Sequence, residues 1–157
     1  METVLEDNSH YSRKGTSVVM SQAIELLDLR KAKERLQLPD PRGKSWTEEE
    51  ANIAEKWYKR FLQTALNYPK ETLIPSVLVD EVWHQHILDT RQYPEDCKKI
   101  FGHYLHHDPY FGTSPEGEKV LQVLFKKTND LYIAQFGEDV MNAEPLMDLR
   151  NAAKSCK

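Results

Sequence analysis

The sequence predicts an all-α fold, a compact bundle of about five helices forming a single domain. Three observations lead there. Apolar residues recur at three- and four-residue spacing over long segments, while strand-like alternation and Asn-Gly or Asp-Gly hairpin signals are absent from the sequence. Helix-start and helix-stop residues stand at the edges of those segments. At 157 residues the chain is long enough to bury one hydrophobic core and short for two.

Residues 1–16 carry little hydrophobic periodicity and read as a flexible leader; residues 17–140 form the helical domain and 141–157 a tail. From Ser17, "SVVMSQAIELLDLRKAKERLQL" sets Val19, Met20, Ala23, Ile24, Leu27 and Leu36 near one helical face, with basic residues toward its end where they suit the helix dipole. "PDPRGKSW" breaks it. Ser45 and Thr47 each precede a glutamate by three residues, Glu48 and Glu50, as in a capping box, and Ile53, Ala54, Trp57, Phe61, Ala65 and Leu66 supply the next apolar face. After the turn-rich "NYPKETLIP", Ser76 caps a helix through "VLVDEVWHQHILDT". Pro94 suits the first turn of "PEDCKKIFGHYLHH", whose stripe is Cys97, Ile100, Phe101, Tyr104 and Leu105. "DPYFGTSPEG" is a loop. Ser114 and Pro115 then open a long final helix that Gly137 closes.

Composition excludes several classes of function. A formal charge of −4 and a pI near 5.9 do not advertise a nucleic-acid partner. The short basic runs "LRKAKER", "CKKI" and "FKKT" interleave with apolar residues at helical spacing and read as solvated faces. Two cysteines, Cys97 and Cys156, make no disulfide framework. The first residues are acidic where a signal peptide would be basic, and no apolar run reaches the roughly 18 residues of a membrane helix, so a cytoplasmic setting is expected. "RGKS" fails as a phosphate loop because Leu38 stands where its first glycine belongs, and neither G-x-S-x-G nor H-E-x-x-H occurs.

The chemistry concentrates in "VDEVWHQHILDTRQYPEDCKKIFGHYLHHDPYFG", residues 79–112. Five of the six histidines fall there, His84, His86, His103, His106 and His107, with Cys97 between the clusters. On a helix His84 and His86 diverge by about 200°, so they do not grip one ion together. Asp80, one turn before His84, is placed to accept its ring N–H and fix its tautomer. His103 and His107, at i and i+4, share a face if the helix continues past Gly102, a two-point grip on zinc or iron. Cys97 lies on the apolar stripe and reads as a buried thiol, with ligation as the alternative. Tyr93 and Asp96 are polar residues with reach toward the same region. A functional reading joins histidines of two helices with a carboxylate or thiolate. It takes His84 or His86 from one helix and His103, His106 or His107 from the other, with Asp80 or Cys97 as further partners, so the candidate ligands for zinc or iron are Asp80, His84, His86, His103, His107 and Cys97. The competing reading is a hydrogen-bonded cluster that orients the two helices.

These residues also resemble the core of the glycine-rich domain-containing protein-like family: an Asp-x-x-Trp-His-x-His segment, a tyrosine, a cysteine, a Phe-Gly pair and a histidine. Here they are Asp80, Trp83, His84, His86, Tyr93, Cys97, Phe101, Gly102 and His107, and "AQFGED" is similar to the family's closing segment. The likeness spans about residues 50–140. It implies no assigned activity. The family's glycine-rich regions, with their suggested RNA link, have no counterpart in a chain of six glycines. Two hypotheses follow. One is a binding or regulatory module whose partner is another protein; the other is a small zinc- or iron-dependent metalloenzyme.

Overall fold

A computed structural model describes residues 18–143. The expected leader, Cys156 and most of the expected tail lie outside the described residues. Within them the chain is all-α, with no strand: α1 (Gln22–Glu25), α2 (Arg30–Gln37), α3 (Glu48–Asn67), α4 (Val77–Leu88), α5 (Gln92–Phe101), α6 (Pro115–Phe136) and a closing 3-10 turn (Val140–Asn142). None of these helices is long and apolar enough to cross a membrane.

The first expected helix is two. α1 is a single turn, and a non-helical step at residues 27–29 separates it from α2. The reason is packing. Leu27 and Leu29 are both buried beside Ile24 and Leu36, and a continuous helix would turn them about 200° apart. The Asp28 carboxylate then accepts the Arg30 N–H at 3.0 Å and restarts the helix.

α3 is the central element. Of the two capping boxes the sequence offers, Thr47 forms the actual one: its hydroxyl accepts the Glu50 N–H at 3.1 Å and the Glu50 carboxylate accepts the Thr47 N–H at 2.8 Å. Ala51, Ala54, Trp57, Tyr58, Phe61 and Leu62 are buried along α3, which packs against α1, α2, α4 and α6. Each large apolar side chain among them contributes about 1.5–3 kcal/mol of burial. α4, capped by Ser76, lays Val79, Val82, Trp83 and His86 into the core and turns Asp80 and His84 the other way.

α5 starts two residues before Pro94 and stops at Phe101, because Gly102 takes a left-handed φ of 76°. The helix expected to run on through "HYLHH" therefore does not exist. Residues 103–108 are non-helical, so His103 and His107 share no helical face. α6 begins and ends as expected, with the Ser114 hydroxyl accepting the Gly117 N–H at 3.0 Å, Pro115 at the first position and left-handed Gly137 at the cap. Beyond it Val140 and Ala143 are buried, so the packed domain runs past residue 140.

Candidate metal centre

Asp80 and His84 stand one turn apart on the face of α4 that points away from the core. The third donor, His107, comes from the segment that Gly102 turns back toward α4. Two contacts hold that segment in place, and two more brace the residues that make them. The Tyr93 hydroxyl donates to the Leu105 carbonyl at 2.5 Å and accepts the Trp83 indole N–H at 2.9 Å. The Trp83 ring stacks on the His107 imidazole, centroids 4.2 Å apart and planes within 16°. Phe61 of α3 packs tilted against the same indole at 4.9 Å. Buried Trp83, next to His84 on its own helix, thus sets the plane of a ring from a distant part of the chain.

The three donor atoms converge. His84 Nε2 and His107 Nε2 lie 2.9 Å apart, His107 Nε2 and Asp80 Oδ1 2.9 Å, and His84 Nε2 and Asp80 Oδ1 3.3 Å. Asp80 Oδ1 is shielded from solvent and still makes no hydrogen bond. The distances to both rings suffice; the directions do not, since neither imidazole nitrogen aims its N–H at that oxygen. A buried acceptor left so costs about 1–3 kcal/mol. The two imidazoles pair through their Nε2 atoms, the Asp80 oxygen stands within reach of both without a hydrogen bond, and the three atoms are close enough together that they could hold an ion. An ion about 2.1 Å from each would set them roughly 3.0 Å apart on an octahedral face and roughly 3.4 Å apart in a tetrahedron. Two of the three edges match the octahedral face.

The other expected ligands lie elsewhere. His86 is buried, 4 % exposed. Its Nδ1 meets the Tyr58 hydroxyl at 2.7 Å and its Nε2 meets Asp96 Oδ2 at 2.8 Å, while Asp96 Oδ1 accepts the Gln92 amide at 2.6 Å. Burial pushes the His86 pKa below the ordinary 6.5, opposed by its bond to Asp96. With both ring nitrogens engaged in the core, His86 has no lone pair for an ion. Burial also raises the Tyr58 phenol well above its usual range. His103 is exposed, its Nδ1 3.2 Å from the Tyr104 carbonyl and its ring tilted against Phe101. His106 is exposed against Tyr104. Cys97 is buried in the core, as its place on the apolar stripe suggests. Of the six expected ligands, the structure gathers Asp80, His84 and His107 and separates His86, His103 and Cys97. Tyr58, a core partner 28 residues before His86, left no signal in the sequence.

A pocket of about 780 Å³ adjoins the three donors. Asp80, Trp83, His84 and His107 form one wall, and Leu73, Phe101, Phe111 and Leu121 contribute to the others. A family profile described as UCP032817-like matches residues 29–128. The chain belongs to the UCP032817-like family. The UCP032817-like region runs from the residue before α2 into α6 and contains all three donors, together with Trp83, Tyr93 and the His86–Asp96 pair. No curated protein and no solved structure matches the chain.

Proposed function

We propose that this UCP032817-like protein is a mononuclear non-haem metalloprotein, with Asp80, His84 and His107 as its ligands and a catalytic rather than structural ion. The observation that carries this is the donor triangle with its orphaned Asp80 oxygen. Structural zinc sites are closed by four protein ligands, whereas three leave positions for water or substrate. Among the described residues these three are the one group of histidine, cysteine and carboxylate side chains that could hold an ion. Two imidazoles and a carboxylate on one octahedral face suit iron(II), and zinc takes the same donors. Asp80 supplies the anionic ligand, the two imidazoles bind as neutral donors, and Trp83 holds His107 in plane. The bound ion would act as a Lewis acid or activate a bound water toward a substrate in the adjoining pocket. The likeness of Asp80, Trp83, His84, Tyr93 and His107 to the glycine-rich domain-containing protein-like core belongs to the same proposal, since those residues make the site and its frame.

The test is anaerobic titration of chelator-stripped protein with Fe²⁺ and, separately, Zn²⁺. The expected result is saturable uptake of about one equivalent with a raised melting temperature, abolished in Asp80→Asn and in His107→Ala. No saturable uptake of either ion, or uptake indifferent to both substitutions, would overturn the proposal.

A further inference from the structure

We infer that the pocket beside the donor triangle takes a small molecule with an apolar, ring-sized body and a single oxygen-chelating head, and rejects polyanions such as phosphate esters. This rests on the metal reading above and adds the ligand class. A divalent ion held by one carboxylate and two neutral imidazoles keeps one net positive charge, enough to draw one anionic or strongly dipolar head. The rest of the lining works against further negative charge. Besides Asp80, whose charge is already matched to the ion, Glu71 and Asp108 line the pocket; among the described residues no lysine or arginine does, and beyond the donors its basic side chains are the imidazoles of His103 and His106. The nearby cation Lys127 is held by Glu71 at 2.7 Å. A phosphate ester would bring a second charge toward Asp108, with no arginine fork or lysine among the described lining residues to receive it and only the exposed imidazoles of His103 and His106 as basic groups. Most of the remaining lining is apolar, with Phe61, Leu73, Phe101, Phe111 and Leu121 among it. A volume of about 780 Å³ lies within the range of small-molecule sites. Phe111 sits on the loop that Gly112 holds against α6. Gly112 has a φ of 80°, and a Cβ there would meet Leu121 at 3.1 Å.

The experiment uses the full chain loaded with Co²⁺, whose visible absorption reports on its ligands. Benzohydroxamate and acetohydroxamate carry the same chelating head on different bodies, and inorganic phosphate serves as the polyanion. The expected result is that benzohydroxamate perturbs the cobalt bands with an affinity about tenfold above that of acetohydroxamate, through burial of its ring. Phosphate should leave the bands unchanged, and in Phe111→Ala the ratio of the two hydroxamate affinities should fall toward one. If Co²⁺ binds but the two hydroxamates bind equally, or phosphate displaces them, the ligand class is overturned and the metal reading stands. If Co²⁺ produces no bound spectrum, both fall.

Discussion

His84 and His86 stand two residues apart on α4, and the helix turns them about 200° from one another. His86 enters the core and gives one nitrogen to Tyr58 and the other to Asp96. His84 keeps 45 % of its side chain exposed and shares a face with Asp80, whose inner oxygen has no hydrogen bond. The inner cluster is closed, every polar atom of the histidine satisfied, and its energetic role is to hold α3, α4 and α5 together. The outer cluster is not closed: the Nε2 atoms of His84 and His107 pair with each other at 2.9 Å, and the Asp80 oxygen beside them has no hydrogen bond. Residue type is the same in both. On the proposed metal reading, what separates a candidate ligand from a strut is whether both ring nitrogens are already engaged in the core, and that follows from the face of the helix on which each ring stands.

The largest expected effect tests the closed side. His86→Ala would leave the Tyr58 hydroxyl and an Asp96 carboxylate oxygen buried without their partner, a loss of roughly 3–5 kcal/mol in denaturant unfolding. His84→Ala should change the stability of the metal-free protein by less than about 0.5 kcal/mol, as for an exposed side chain without an essential bond. Equal losses in the two variants would erase the distinction.

Tyr93→Phe examines the joint between the regions. It removes the hydroxyl that links the Trp83 indole to the Leu105 carbonyl, two residues before His107. We expect a loss of about 1–2 kcal/mol, and metal affinity lowered by roughly 10–100-fold, the effect of losing a group that positions a ligand. Calorimetric titration with the ion reads the second effect. An unfolding loss with unchanged affinity would show that the Tyr93 link does not position His107.

The smallest effect sets a baseline far from both clusters. Arg60 and Lys56 hold the Glu138 carboxyl below its ordinary 4.5. A depressed carboxylate contributes stability above that value and loses it as pH falls through the folded-state value. Glu138 is half exposed, so solvent and salt screen the pair. Glu138→Gln should cost a few tenths of a kcal/mol at neutral pH, less in high salt and nothing in strong acid, with metal content unaltered. Melting curves across acid pH check this; a loss that persists in strong acid would contradict it.

Much of this was legible in the chain because it is local. The caps at Thr47, Ser76, Ser114 and Gly137 announce themselves by residue type and position. The divergence of His84 from His86 needs only the pitch of a helix. What escaped depends on tertiary structure. Leu27 and Leu29 break the first helix because the core takes both, which the periodic pattern around them conceals. Apolar Tyr104 and Leu105 continue the stripe of α5 past Gly102, so the pattern did not mark the helix end and suggested a His103–His107 pair. The real pairing of His107 with α4 depends on the turn at Gly102, and Tyr58 reaches His86 from another helix. Neither contact has a spacing that sequence could display.

Whether His84, and not His86, holds an ion is the central point of the proposal. The direct measurement is metal per chain in His84→Ala beside His86→Gln, both loaded with Fe²⁺ or Zn²⁺ and freed of excess. Glutamine can still accept from Tyr58 and donate to Asp96, so the second variant keeps the core closed. The account predicts about one equivalent in His86→Gln and close to none in His84→Ala. Equal metal in both, or loss only in His86→Gln, would contradict it.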